Sequence, residues 1–479
     1  MEEQRTVFSN MIWRFAERCG DQLLTFVVSI ILARLLDPSA YGELALVTVF
    51  ISILQVFVSS GFGSALIQKK DADELDYSTV FIFNIVSSVL LYLLMFFAAG
   101  PIADFYELPT LVPIIRVMSL TLLISGMINV LQAYVTKHLL FKNFFFATLG
   151  STLLAALLGI WMAYRGYGVW APVAQSLFNQ FADTVILWLM VKWRPRAQFS
   201  FQRLKGLFSY GWKILAAGLL ETIYSQLQQL FVGKLYTTDD LAYYNKGDAF
   251  PSLIVTNINS SIDTVMLPTM ANVQDDRERV RDMTRRTIRV SVYIMAPMMV
   301  GLACVAEPLV RLLLTEKWLP CVPFLRVFCA MYILYPLHTS NLNAIKALGY
   351  SGVLLRLEII KKVIGLLLIL AALRFGPLAI AFATLVSFLL GLVLDTCANK
   401  KLLDYGCFAQ LRDIAPSLLL AACMGACVMA VQLLGLGDLA TLCIQVPLGA
   451  GIYILGSILL HFDSFDYMLA LVKSYFPHR

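Results

Sequence analysis

Long apolar segments separated by short polar ones recur along the whole chain. The first covers about residues 11–36, and the last ends near residue 461. Each is long enough to cross a hydrocarbon core of about 30 Å at about 1.5 Å per helical residue, and about 14 such segments can be counted. The pattern predicts an all-α integral membrane protein with about 14 transmembrane helices.

Composition and charge agree with this prediction. The chain is 59% hydrophobic and only 14% charged, with a mean hydropathy of +0.76, whereas a soluble protein carries roughly a quarter charged residues. With the N-terminus inside, roughly 22 Lys and Arg residues fall in inner segments and roughly 5 in outer ones. We therefore expect both termini in the cytoplasm. Because topology accounts for the basic loops, no nucleic-acid partner is expected.

The chain also repeats itself. LARLLDPSAYG at 32–42 is echoed by VGKLYTTDDLAYYN at 232–245, LVPIIRVMSL at 111–120 by CVPFLRVFCA at 321–330, and GYGVWA at 166–171 by RFGPLA at 374–379. The order is kept at offsets of about 200 to 211 residues, so six spans recur as six spans in the same orientation. Parallel repeats of this kind predict two pseudo-symmetric six-helix bundles around a central cavity.

Four parts follow from the repeat. We predict an N-terminal six-helix bundle at 1–192, a basic cytoplasmic linker at 193–207, a C-terminal six-helix bundle at 208–400, and two extra helices with a cytoplasmic tail at 401–479.

Ionisable residues within the spans are the functional candidates, since charge inside a membrane is costly. Arg14, Arg18 and Asp21 share one face of the first span at helical spacing. Near the inner interface, the two arginines could instead snorkel to lipid phosphates. The seventh span offers Lys213, Glu221 and Gln228, and the eighth carries a continuous polar stripe of Asn245, Asp248, Ser252, Thr256, Asn259 and Asp263. His338 in the tenth span is interpreted as a packing histidine, with a proton relay as the alternative.

Nothing in the sequence indicates an enzyme. The loops are short and the longest outer ones lack histidine, so an outer-face polymerase or ligase is disfavoured and no catalytic residue is assigned. The cysteines lie mostly in apolar runs without histidine or carboxylate at ligand spacing, so neither a metal site nor a cofactor is expected.

The segments LARLLDPSAYGELALVTVF, GFGSALIQKKD, YYNKGDAF and VMLPTMANVQDD resemble the polysaccharide transporter family. These are the Wzx-like flippases of lipid-linked oligosaccharides, in the superfamily that includes multidrug antiporters and lipid II flippases. The colanic and teichuronic acid exporter branch is the most similar. The resemblance implies a bacterial cytoplasmic membrane protein that moves undecaprenyl-diphosphate oligosaccharides by alternating access, for exopolysaccharide, capsule or lipopolysaccharide assembly. Membrane lipid and other polysaccharide-assembly membrane proteins are the expected partners.

The chemistry of such a substrate suggests residue roles. A diphosphate requires cations in a wet cavity, and Arg14, Arg18 and Lys213 are the candidates. Gln228, Tyr224 and Asn259 are the candidates for the sugar. Four carboxylates could couple a proton or sodium gradient: Asp21, Glu221, Asp248 and Asp263. The alternative is a cation-coupled multidrug exporter of the same superfamily, against which the paired arginines argue.

Overall fold

The computed structural model describes residues 2–59 and 61–475, with only the backbone described at 2–12, 15, 209–210, 261 and 470–475. Within these ranges the regular elements are all helices. They are α1 (Glu2–Leu35), α2 (Pro38–Ser59), α3 (Phe62–Gln68), α4 (Glu74–Tyr106), α5 (Leu111–Met118), α6 (Leu120–Lys137), α7 (Phe141–Tyr164), α8 (Trp170–Met190), α9 (Phe201–Leu235), α10 (Thr238–Ala271), α11 (Arg277–Leu314), α12 (Val322–Tyr332), α13 (Tyr335–Ala347), α14 (Ser351–Ala372), α15 (Pro377–Leu403), α16 (Cys407–Ala430), α17 (Asp438–Leu459) and α18 (Asp463–Tyr475). Short 3-10 turns occupy Glu316–Cys321 and Val431–Leu434.

The helices are those of a multi-pass membrane protein. In the described part of the chain, nine helical segments are long and apolar enough to cross a membrane. Large apolar side chains such as Phe97 and Leu189 are exposed on the helix surfaces, as expected of surfaces that face lipid. The predicted all-α membrane fold is confirmed, and the predicted count of 14 spans is compatible with this arrangement.

The repeat noted in the sequence is visible in where helices begin and end. A two-residue break separates α1 from α2 at 36–37, and another separates α9 from α10 at 236–237. The paired Val-Pro-x-x-Arg-Val segments form α5 and α12, and each is a short helix that breaks before a second one. Equivalent sequences therefore produce equivalent local structure.

The chain divides into two compact units, Met1–Ala242 and Tyr243–Arg479. The first contains α1 to α9, and its core includes the fully buried Leu66, Leu131 and Leu187. The second contains most of α10 and everything after it. The predicted boundaries at 192, 207 and 400 follow the sequence repeat, whereas the two units are defined by compact packing. These boundaries therefore stay predictions.

Within the second unit, the two extra helices are fixed to α11. The Tyr293 hydroxyl on α11 donates to Ser457 Oγ on α17 at 2.7 Å, and the Tyr453 hydroxyl donates back to the Tyr293 carbonyl oxygen at 2.8 Å. Both tyrosines are buried. The α16–α17 pair is therefore an integral part of this unit.

In the first unit, α4 begins with a capping box. The Asp73 side chain accepts from the Asp76 backbone N–H at 2.9 Å, and Asp76 Oδ2 accepts from the Asp73 N–H at 3.1 Å. The hydrogen bond from the Asp76 backbone, helped by Arg203 and Lys69, lowers the pKa of Asp73 below its usual value. The stabilisation is therefore present above the carboxyl pKa of the unfolded chain and is lost as pH falls through the folded one.

We expect Asp73→Ala to destabilise the protein by about 1 kcal/mol at neutral pH, while Asp73→Asn retains most of the cap. Thermal unfolding of the purified protein at pH 7 and pH 3 tests this. The difference in melting temperature between wild type and Asp73→Ala should be smaller at pH 3 than at pH 7. A difference that is the same at both pH values would contradict the proposed role of the ionised carboxylate.

Candidate functional site

The second unit contains a cavity of about 380 Å³ between α10 and the broken α12–α13 pair. Its wall on α10 follows the polar stripe that the sequence indicated, because residues four, seven and eleven positions apart share a helix face. The opposite wall comes from α12 and α13. The polar and aromatic residues that line the cavity are Ser252, Thr256, Asn259, Ser260, Asp263, Tyr332, Tyr335, His338, Thr339 and Lys346.

The break between α12 and α13 shapes this wall. Pro336 lies in the first turn of α13, where a missing backbone N–H carries no penalty. The Tyr335 ring stacks on Phe388 of α15 at 5.7 Å between ring centroids. The break thus allows two tyrosines, Tyr332 before it and Tyr335 after it, to line the same cavity.

Asn259 is the most informative residue of the cavity. Its side chain is 6% exposed, and neither its amide nitrogen nor its amide oxygen has a hydrogen-bond partner. By contrast, Asn257 donates to the Leu253 carbonyl oxygen of its own helix at 2.8 Å. A buried polar group without a partner is costly. The Asn259 amide therefore lies in the cavity wall with a donor group and an acceptor that no protein group uses.

The two acidic candidates of α10 are both held by neutral donors. Asp263 lines the cavity, is exposed, and accepts from Asn343 Nδ2 at 2.7 Å. Asp248 accepts from the hydroxyl of Tyr332 at 2.7 Å, so it is joined to the cavity wall through that tyrosine. Of the predicted residues, Asn259, Asp263 and Asp248 are thus brought together, two directly and one through Tyr332.

The first unit contains the predicted basic residues of α1. Arg14 is exposed, forms an ion pair with Glu17 at 2.8 Å, and lies 5.2 Å from the centre of the Phe144 ring. Arg18 is exposed. Asp21 accepts from Thr152 Oγ1 of α7 at 2.7 Å. One part of the predicted polar face of α1, at Asp21, therefore packs against α7, and the part with Arg14 and Arg18 is exposed.

The remaining four candidates lie on α9, also in the first unit. Lys213 and Glu221 are exposed, and Tyr224 and Gln228 are half-buried. The structure does not assign a ligand to any of them, and their predicted roles stay predictions.

His338 was not among the predicted site residues. The interpretation as a packing histidine is right in that the ring is hydrogen-bonded, since Nδ1 lies 2.7 Å from Asp395 Oδ2. It misses that His338 also lines the cavity. The positions of Tyr332, Tyr335 and Thr339 along α12 and α13 were the signal that could have placed His338 in the cavity. The partner Asp395 could not be found in this way, because it is 57 residues away in the chain.

Comparison with known proteins adds the family. The model of the family described as polysaccharide biosynthesis protein matches residues 31–323, more than half of the chain. The teichuronic acid biosynthesis protein TuaB of Bacillus subtilis (strain 168) is 27% identical over 394 residues, which cover 79% of each chain. The succinoglycan biosynthesis transport protein ExoT of Rhizobium meliloti (strain 1021) is 25% identical over 360 residues, covering 75% of this chain and 73% of ExoT.

The fold has a counterpart among solved structures. The lipid II flippase MurJ in an inward closed conformation superimposes with a TM-score of 0.74 over 94% of this chain and 99% of MurJ, at 14% identity. At that identity the likeness shows a shared fold. The family match and the relatives confirm the resemblance seen in the sequence: the chain belongs to the polysaccharide biosynthesis protein family.

Proposed function

We propose that this protein is a flippase that moves undecaprenyl-diphosphate-linked oligosaccharides across the cytoplasmic membrane for polysaccharide assembly. Family membership and relatives named for succinoglycan transport and teichuronic acid biosynthesis support this proposal. The structural observation that carries it is the unpartnered amide of buried Asn259, which faces a cavity rich in hydroxyl and aromatic groups.

The cavity suits a sugar better than an apolar drug. An amide can donate and accept at once, and serine, threonine and tyrosine hydroxyls do the same. The faces of Tyr332 and Tyr335 provide an apolar surface beside these groups. A pyranose ring has the same combination of hydroxyl edges and C–H faces. Asn259, Tyr332 and Tyr335 would therefore meet the sugar moiety.

The diphosphate would be met by cations. An arginine guanidinium binds phosphate oxygens in a bidentate manner, and lysine acts as a point charge. Arg14 and Arg18 on α1 and Lys213 on α9 are exposed and available for this role. Tyr224 and Gln228, about three and four turns after Lys213 on α9, are the further candidates for the sugar. We also propose that transport occurs by alternating access and that both termini are cytoplasmic. An ion gradient would be coupled through one of four carboxylates: Asp21, Glu221, Asp248 or Asp263.

We expect Asn259→Ala to lower polymer export roughly tenfold, because two neutral hydrogen bonds to substrate are worth about 1–3 kcal/mol together. The apparent melting temperature should stay unchanged or rise slightly, since the Asn259 side chain makes no hydrogen bond within the protein. Export and lipid-linked oligosaccharide accumulation are measured in a strain that lacks this protein and is complemented with each variant.

Asn257→Ala is the matched control, because it removes the same group two residues away where it bonds to its own helix. It should export normally. Normal export by Asn259→Ala would remove the cavity from substrate binding. If the wild type instead lowers sensitivity to cationic drugs and leaves lipid-linked sugar levels unchanged, the protein is a multidrug exporter and the proposal is wrong.

A further inference from the structure

Four ionisable side chains of the second unit form a connected chain that begins at the cavity wall. His338 lines the cavity, and its Nδ1 lies 2.7 Å from Oδ2 of Asp395 on α15. Asp395 is completely buried. Lys361 Nζ on α14 lies 3.2 Å from Asp395 Oδ1 and 2.6 Å from Glu358 Oε1. Residues from α13, α14 and α15 thus form one connected network.

The hydrogen bond to Asp395 fixes which nitrogen of His338 can titrate. An ionised carboxylate only accepts hydrogen bonds, so Nδ1 carries a hydrogen in either protonation state. Nε2 is then the nitrogen that gains or loses a proton.

The charges in this network do not balance unless His338 is protonated. Asp395 and Glu358 contribute two negative charges and Lys361 contributes one positive charge. With neutral His338 the sum is −1, and with protonated His338 it is zero. An uncompensated charge beside a fully buried carboxylate is expensive. The Phe388 ring, centred 5.9 Å from the His338 ring, further limits screening by water.

Three charged groups nearby on α10 and α13 do not remove this surplus. Asp263 on α10 and Lys346 on α13 line the same cavity, and their formal charges cancel. Asp248, also on α10, adds a further negative charge behind Tyr332. Tyr335 is another titratable neighbour, with its ring centre 5.6 Å from that of His338.

We propose that His338, Asp395, Lys361 and Glu358 form a proton-binding site in the cavity wall. Nε2 of His338 takes one proton from water in the cavity and returns it there, so the charge of the wall changes by one unit and no other bond is made or broken. The ligand is a proton rather than a metal cation, because the Lys361 ammonium already occupies the position beside Asp395. This site would add a further ion-coupling group to the four carboxylates considered above, and its protonation does not depend on which substrate is carried.

The chain contains only four histidines, which makes the site directly observable. Full-length protein labelled with ¹⁵N-histidine in detergent micelles gives signals from at most four imidazole rings, and His338→Gln identifies the signal that belongs to His338. We expect this signal to change with pH in the wild type. In Asp395→Asn its midpoint should move about 1–3 pH units lower, because the opposite charge is gone. In Lys361→Gln it should move higher, because a like charge is gone.

Asp413→Asn is the matched control, since it removes another buried carboxylate of the same unit that is bonded to Arg285 at 2.6 Å. It should leave the His338 midpoint unchanged. If Asp395→Asn does not fold, the direction of the Lys361→Gln shift decides. A His338 signal that ignores both substitutions, or one that responds to sodium in place of choline chloride at constant pH, overturns the proposal. Neither result depends on whether the protein transports oligosaccharides.

Discussion

Simultaneous replacement of Arg14 and Arg18 by alanine is expected to abolish polymer export while the protein still inserts into the membrane. Both guanidinium groups lie on one face of α1 and both are exposed, so they can reach an anionic headgroup. A hydrogen bond to a charged partner is worth about 1.5–3 kcal/mol, and loss of two would reduce transport by roughly two to four orders of magnitude. Export and accumulation of lipid-linked oligosaccharide in the complemented strain measure the effect.

The ion pair with Glu17 requires a control for stability. Arg14 bonds to Glu17 at 2.8 Å, and the Glu17 side chain is only 11% exposed, so alanine at position 14 leaves a largely buried carboxylate without its partner. Adding Glu17→Gln to the double variant removes that problem. The triple variant should be as stable as the wild type and still fail to export.

Charge and geometry can then be separated. Arg14→Lys with Arg18→Lys keeps both charges and loses the bidentate geometry, so partial export is expected. Arg165→Ala is the surface control, because Arg165 lies over the ring of Trp161 at the end of α7, outside the predicted site. Full export by the triple variant would show that these arginines anchor α1 at the lipid interface and do not bind substrate.

The sequence was sufficient to predict the fold because a membrane restricts the possibilities. Residues 77–100, for example, must form a helix so that their backbone N–H and C=O groups are hydrogen-bonded in lipid, and they lie within α4. The repeat was also readable, since residues 36–37 and 236–237 break their helices in the same way. Helix ends were less predictable. The division of residues 110–135 into α5 and α6 falls at Ser119, where no proline marks the break.

The candidate site was predictable only as far as one helix extends. Helical spacing placed Asn259 and Asp263 on a common face of α10, and the cavity lies there. The same spacing could not show that Asp263 bonds to Asn343 or that His338 bonds to Asp395, because these partners are 80 and 57 residues apart. Nor could it show that Asn259 lacks a partner. Whether a polar group is satisfied is a property of the packed structure.

The second large effect is expected at Gly42, in the first turns of α2. A Cβ atom at this position would lie 1.9 Å from the carbonyl oxygen of Thr238 and 2.6 Å from its carbonyl carbon. Both are backbone atoms at the start of α10, so no side chain can rotate away to make room. A second close approach lies beside it, where a Cβ on Gly233 of α9 would be 2.1 Å from Leu46 Cδ2. At Gly42, α2 and the α9–α10 turn therefore meet without a side chain between them.

We expect Gly42→Ala to prevent this packing and to cost more than the 1–3 kcal/mol that is typical of an overpacked core, because the obstacle is backbone. Gly233→Ala should cost less, since the terminal methyl of Leu46 can move to another rotamer. Gly451→Ala, in the middle of α17 with no atom within 4 Å of the added Cβ, should be neutral or stabilising by up to about 1 kcal/mol. The yield of monodisperse protein and the apparent melting temperature in detergent rank the three variants. If Gly42→Ala melts at the same temperature as Gly451→Ala, the close approach of α2 to the α9–α10 turn is not part of the folded protein.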